Sequence, residues 1–201
     1  MNSLRLIVSL SLLLAILAGC ATSPTGTVAL PRVPVWQTPA DATPLQGFTV
    51  ELAARTLWPG VDVFTSDTVY TRVSHAWLEQ SISWTWQAQM ALGFTYRPNS
   101  RDCDKFALAY FLAATSAAAN AGIDATPLVA RLVVEQRTTW AGVAGAVGTR
   151  HELIGVCSDR GFYVLEPQPN NQGAPRLVPL VDYPNRILAI ILGDYNPPQW
   201  Q

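Results

Sequence analysis

The chain has 201 residues, of which 49% are hydrophobic and only 13% are charged. This length and apolar content suffice for one domain of ordinary size with a real core, which excludes a wholly disordered protein. The formal net charge is -1 and Lys105 is the only lysine, so the chain lacks the basic stripe of a nucleic-acid-binding protein. Two histidines and three cysteines leave little for a metal cage or a disulfide scaffold, and we expect no cofactor.

The first twenty residues carry the features of an export signal. Arg5 gives a positive start, and residues 6–18 form an apolar run that is shorter than the ~20 residues of a membrane-spanning helix. The run ends in Leu-Ala-Gly-Cys at 17–20, which resembles the box of bacterial lipoprotein signals. The resemblance implies cleavage before Cys20, a lipid on its thiol and anchoring to a membrane outside the cytoplasm. Ala21, where an aspartate would indicate inner-membrane retention, favours the periplasmic face of the outer membrane in a Gram-negative cell.

The rest of the sequence divides by composition. Residues 1–19 are the predicted signal peptide, 20–47 a proline- and threonine-rich linker, 48–195 the folded domain and 196–201 a tail. Prolines block helix and sheet hydrogen bonding. We therefore expect the linker to be an extended tether that holds the domain away from the membrane.

Periodicity predicts two long helices. The first, 74–92, begins at the N-cap residue Ser74 and ends before Gly93. Its apolar residues recur every four positions: Leu78, Ile82, Trp86 and Met90. The second, 102–121, is rich in alanine and ends before Gly122. The stretch 48–57 fits a short helix or a strand.

Alternating apolar and polar residues predict strands in the second half of the chain. The predicted strands are 127–135, 151–158, 161–168, 177–181 and 186–193. The glycine-rich stretch 138–150 lacks the spacing of a phosphate-binding loop. Two helices followed by a run of strands indicate an α+β domain with helices packed on an antiparallel sheet.

The polar residues best fit a cysteine hydrolase. Cys103 stands at the start of the second helix, where the helix dipole and free N–H groups favour a thiolate. His151 opens a predicted strand, and it faces Glu166 or Gln168 on the next strand, depending on where the hairpin turn is centred. Either side chain could orient the imidazole. The candidate oxyanion donors are the backbone N–H of Cys103 and the side chains of Gln87, Gln89, Tyr96 and Asn99.

Cys157 offers a structural alternative, because exported proteins form disulfides. Cys157 and His151 lie on one predicted strand, about 20 Å apart at ~3.3 Å per residue. A disulfide needs Cα atoms within ~7 Å. Cys103 can therefore approach His151 or Cys157 but not both, and we expect it to approach His151.

This order of residues resembles the papain-like superfamily in its transglutaminase-like and NlpC-type endopeptidase branches. Asp-Cys-Asp at 102–104, followed by Phe-Ala at 106–107, is similar to the cysteine helix of these enzymes. The strand of His151, followed by Gly-Phe-Tyr-Val at 161–164, is similar to their histidine strand and its successor. The resemblance covers residues 96–168.

The resemblance implies a papain-like core and an amide bond of a peptide or a murein peptide as substrate. It makes Cys103 the nucleophile, His151 the base and Glu166 the third member, with Gln168 as the alternative. The sequence departs from the pattern at two positions. Glu166 stands where transglutaminase-like members usually have an aspartate, and Asp104 stands where a serine usually follows the cysteine.

A function of another class fits the same residues. The near-neutral charge, the tryptophans and the departures from the family pattern also suit a catalytically silent binding or structural lipoprotein of a cell envelope or a phage. The reactivity of Cys103 discriminates between the two interpretations, because only a catalytic thiol needs to be activated.

Overall fold

The chain folds as an α+β structure, as predicted. The computed structural model describes residues 31–39, 43–91, 93, 103–138, 148–168 and 177–193. The helices in these ranges are α1 (Gly47–Leu57), α2 (His75–Ala91) and α3 (Cys103–Asn120). The strands are β1 (Leu45–Gln46), β2 (Asp62–Thr65), β3 (Val69–Thr71), β4 (Thr126–Pro127), β5 (Val129–Glu135), β6 (Arg150–Ser158), β7 (Gly161–Leu165), β8 (Leu177–Pro179) and β9 (Arg186–Leu192).

Several sequence predictions lie outside the described residues. They are the signal peptide 1–19, the lipidation site Cys20, the tail 196–201 and the candidate oxyanion donors Tyr96 and Asn99. Within the described ranges, no helix combines the length and the apolar character needed to cross a membrane.

Six strands form the main sheet, in the order β2-β9-β5-β6-β7-β8. The strands from β5 to β9 pair antiparallel, as predicted, but β2 runs parallel to β9. The main sheet is therefore mixed, and the prediction of a purely antiparallel sheet is wrong. A smaller sheet has the order β1-β3-β4. Strands β1, β2 and β3 were not predicted, because two to four residues are too few for a clear alternation.

Helix α3 packs across β5 and β6 and carries the main core. Its alanines let the helix approach the sheet closely, and Tyr110 and Phe111 fill the space beside Val129 and Ile154. The neighbouring residues of β5 face a second apolar cluster, to which Ala54 of α1 belongs. The two faces of the sheet are thus covered by different helices.

Helix α2 buries a different stripe from the one predicted. Its buried residues include Leu78, Ser81, Thr85 and Gln89, whereas Met90 is 57% exposed. Residues four positions apart turn by about 40° beyond a full circle. The predicted stripe, with a residue at every fourth position, therefore rotates away from the core along the helix. The observed stripe stays on the core side because the step from Leu78 to Ser81 is three residues.

Residues 31–39, predicted to be part of a free tether, lie against α2. Trp36 is buried and packs on Trp77 of α2, with ring centroids 5.0 Å apart. The expectation of an unpacked linker therefore does not hold for this stretch, although its chain is non-helical, as its prolines predict. Two indole N–H groups of α2 donate to its carbonyls, from Trp77 to Pro34 at 3.1 Å and from Trp84 to Pro31 at 2.9 Å.

Candidate active site

Cys103 is the first residue of α3 and is partly exposed. The first N–H groups of a helix have no partner within the helix, and they point toward its N-terminal end together with the positive pole of the dipole. Both features stabilise negative charge on the sulfur or on a substrate oxygen beside it.

His151 and Glu166 form a hydrogen bond of 2.5 Å between Nε2 and Oε2. The other carboxylate oxygen of Glu166, Oε1, accepts the backbone N–H of Gln168 at 2.8 Å. Glu166 is completely buried and His151 nearly so. With both of its oxygens engaged, the carboxylate has a fixed orientation, and it fixes the plane of the imidazole in turn.

The hairpin between β6 and β7 explains why Glu166 reaches the ring. Ser158 pairs with Gly161 and Ile154 pairs with Leu165, so the turn has the later of the two predicted centres. Continuing this register would set Gln168 opposite His151. However, β7 ends at Leu165, and Glu166 contacts His151 as its diagonal neighbour, which is within reach of a long side chain.

Cys103 is the second partner of His151. Burial alone would lower the pKa of His151, but hydrogen bonds to Cys103 and Glu166, together with their negative charge, raise it to about 10. Because Nε2 is engaged by Glu166, Nδ1 is the nitrogen left for the sulfur. The predicted residues Cys103, His151 and Glu166 therefore meet at one place, and the side chain of Gln168 is not the one bonded to the ring.

The candidate oxyanion donors differ in their surroundings. Gln89 is buried, and its Nε2 donates to the carbonyl of Pro167 at 3.0 Å, so it links α2 to the residue after Glu166. Gln87 is exposed and donates to Ser83 at 3.2 Å. Of the candidates within the described residues, the backbone N–H of Cys103 has the best position.

Two buried charged residues near this site are not predicted by the alternation of the strands. Arg131 of β5 and Glu152 of β6 form a buried ion pair, with Nε and Oε1 2.5 Å apart. A strand pattern alone assigns such residues to a solvated face. The signal that could have revealed them is an arginine flanked by apolar residues and a glutamate directly after His151.

The second thiol lies elsewhere. Cys157 and Cys103 are both free, which agrees with the expectation that they do not form a disulfide with each other. Cys157 lines an apolar cavity of about 150 Å³ between α1 and the sheet, and neither Cys103 nor His151 lines that cavity. Burial raises the pKa of the Cys157 thiol to about 11, so it stays protonated at neutral pH.

Metal ligation has no support in the described ranges, where no three His, Cys, Asp or Glu residues are grouped closely enough to hold an ion.

Comparison with known proteins gives a likeness of fold. No protein-family model matches the chain, and no curated protein matches it either. Among solved structures, the chain is similar to one titled "PSL1a-E64 complex", with a TM-score of 0.51 and 17% identity over 74% of this chain. The chain spans about half the length of that structure's chain. At this level of identity the likeness concerns the fold alone.

Proposed function

We propose that the chain is an exported, lipid-anchored cysteine hydrolase or acyl transferase with a papain-like domain, acting on an amide bond. The observation that carries the proposal is the surroundings of His151, which hydrogen-bonds to the buried carboxylate of Glu166 and whose pKa is raised by Cys103 as well as by Glu166. This is the arrangement of nucleophile, base and orienting group that thiol acyl transfer needs.

In the first half of the reaction, the thiolate of Cys103 attacks the carbonyl carbon of the amide. A C–S bond forms, and the electron pair of the C=O bond moves to the oxygen, where the backbone N–H of Cys103 can donate to it. The imidazolium of His151 then gives its proton to the amide nitrogen as the C–N bond breaks. The products are an amine and a thioester on Cys103.

In the second half, water attacks the thioester carbon while His151 accepts its proton. The C–S bond breaks, a carboxylic acid leaves and the thiolate returns. If an amine replaces water, the same steps form a new amide, which is transpeptidation. Glu166 stabilises the imidazolium in both halves, and its hydrogen bond to Gln168 keeps the carboxylate in place.

The cellular location of the protein and the class of its substrate are part of the same proposal. A lipid on Cys20 would hold the domain at the cell envelope, on the periplasmic face of the outer membrane in a Gram-negative cell. The cross-linked peptides of murein are accessible amides there, so a peptide or murein peptide is the proposed substrate. The likeness in fold to the "PSL1a-E64 complex" suggests E64 as a ligand to test.

The proposal is tested by the reactivity of Cys103. We expect iodoacetamide to alkylate Cys103 at pH 6 at least tenfold faster than Cys157. The buried thiol of Cys157 stays protonated at this pH, and only a thiolate reacts with iodoacetamide. Peptide mapping by mass spectrometry assigns each modified thiol. His151→Ala should slow the alkylation of Cys103 by about tenfold or more, because the imidazolium partner is lost.

Cys157→Ser is the matched control, and the rate at Cys103 should not change in it. E64 serves as a second probe, and its addition should require both Cys103 and His151. A Cys103 that reacts no faster than a free thiol, or whose rate ignores His151, would overturn the catalytic proposal. The silent binding module would then be the better description.

A further inference from the structure

The buried ion pair between Arg131 and Glu152 bridges two neighbouring strands. Arg131 is 1% exposed and Glu152 is 8% exposed. In the register of β5 and β6, Arg131 lies opposite Ile154 and Glu152 lies opposite Val133. The two charged side chains are therefore diagonal neighbours on one face of the sheet.

This face is the one that α3 covers. Ile154, which lies opposite Arg131, belongs to the same apolar cluster as Ala107 and Phe111 of α3. The ion pair lies one step further toward the end of β6 at which His151 stands. The sheet thus presents a charged pair where the apolar contact with α3 ends.

The first turn of α3 adds two more charges to this place. Asp104 and Lys105 directly follow Cys103, and their side chains are 2.6 Å apart. Burial raises the pKa of the Glu152 carboxyl, and Arg131 opposes this shift. Among the smaller influences, the charge of Asp104 raises that pKa further and the charge of Lys105 lowers it. The geometry agrees with this influence, because the Arg131–Glu152 pair is buried on the face of the sheet that α3 covers, and Glu152 is the chain neighbour of His151.

A buried ion pair is a poor means of gaining stability. The desolvation of two charges offsets most of their attraction, and apolar side chains of similar volume often give an equally stable or more stable protein. The contact between a guanidinium and a carboxylate is directional, because its hydrogen bonds form only at defined angles, whereas apolar contacts have no preferred angle. Orientation is thus the property that this pair supplies and an apolar pair would not.

We propose that the Arg131–Glu152 pair positions the catalytic couple, setting the first turn of α3 against the start of β6 so that Cys103 meets His151. The groups that act on the imidazole of His151 are Glu166 and Cys103, so Arg131 and Glu152 are positioning residues that act through their neighbours. This inference rests on the proposed function, because it requires Cys103 and His151 to work together.

The test replaces the pair by apolar residues in the full chain, as the double variant Arg131→Met with Glu152→Leu. We expect the melting temperature to stay within a few degrees of the wild-type value or to rise. The alkylation of Cys103 by iodoacetamide should become at least tenfold slower at pH 6 and approach the wild-type rate near pH 9. In this background, adding His151→Ala should slow the reaction by less than twofold.

Glu152→Gln is the conservative variant, because it keeps the volume of the side chain and an acceptor for Arg131. It should retain a rate at pH 6 between those of the wild type and the double variant. Arg55→Met, which removes the exposed ion pair with Glu51 on α1, is the matched control and should leave the pH profile unchanged. If the buried pair served stability alone, the double variant would melt at a lower temperature while the pH profile of Cys103 stayed that of the wild type.

The outcomes separate the inference from the function on which it rests. A wild-type Cys103 that is slow and independent of His151 overturns both. A wild type that behaves as proposed, with a folded double variant of unchanged pH profile, overturns the inference alone. A double variant that fails to fold also overturns it, because the pair would then serve stability rather than orientation.

Discussion

Glu166 shows how one residue can join two parts of a site. It lies just beyond the end of β7, and its oxygens contact the imidazole of His151 and the backbone of Gln168. A carboxylate held in this way cannot rotate without losing one of the two bonds. The same feature distinguishes Glu166 from Gln168, because only the backbone of Gln168 takes part.

This difference predicts opposite results for two substitutions. Glu166→Gln should slow the alkylation of Cys103 at pH 6 by about tenfold, because the imidazolium loses the charged carboxylate that orients and stabilises it beside the thiol. Gln168→Ala should change the rate by less than twofold, because its N–H remains. Rates for the two variants are compared by mass spectrometry on the folded proteins. Equal effects, or a larger effect of Gln168→Ala, would make Gln168 the third member.

The raised pKa of His151 also predicts a dependence of stability on pH. Its folded-state pKa of about 10 lies above the ordinary value of 6.5, so the folded state binds the proton more tightly than the unfolded state. The stability gained in this way is fully present below about pH 6.5 and is lost as the pH rises through about 10.

Thermal unfolding between pH 6 and pH 10 measures this effect. The melting temperature of the wild type should fall across this range by more than that of Glu166→Gln, whose imidazole lacks the charged partner. Gln168→Ala should follow the wild type. If the melting temperatures of the wild type and Glu166→Gln fell by the same amount between pH 6 and pH 10, the contact with Glu166 would not be what raises the pKa of His151.

At the scale of elements, the contact of residues 31–39 with α2 carries a measurable part of the stability. Trp36→Ala should lower the free energy of unfolding by about 3 kcal/mol, because a buried indole is removed from the face of Trp77. For a chain of this size the melting temperature should drop by about 6–12 °C. Val35→Ala, at a position 82% exposed, should have an effect below about 0.5 kcal/mol. Equal melting temperatures for both variants would mean that this stretch does not hold to the domain.

The same elements show which features can be predicted from the sequence. The long helices and the five strands of the second half follow from periodicity and turn residues, because each has enough residues to establish a period. Cys103 and His151 could be singled out because one lies at a helix start and the other opens a strand. Their meeting could not be derived from the spacing, since it depends on how α3 lies across the sheet.

Other features depend on contacts between distant residues. The partner of His151 depended on a one-residue difference in the centre of a hairpin and on the end of β7 at Leu165, neither of which a strand pattern fixes. The packing of Trp36 could not be predicted from the sequence. The prolines around it indicate an extended backbone, but they do not indicate what the indole contacts. The ion pair of Arg131 and Glu152 was hidden because a strand pattern assigns charged residues to water.

At the scale of the whole molecule, the proposed anchor is independent of the proposed chemistry. Cys20→Ala should remove the lipid and leave the signal uncleaved, since the thiol is the proposed acceptor. Intact mass and membrane fractionation measure both effects. Cys157→Ser, which removes a different thiol, should keep the lipid. A wild-type protein that carries no lipid by mass spectrometry would contradict the prediction.

The parallel pairing of β2 with β9 has a consequence for how the chain reaches its final state. Asp62 pairs with Ala189, which lies 127 residues further along the chain, and β9 stands between β2 and β5 inside the main sheet. Contacts between such distant residues form slowly, because a large loop must close before they are gained. The interior of the main sheet can therefore close only after β9, Arg186–Leu192, has been synthesised. A nascent chain without this strand leaves the edges of β2 and β5 unpaired.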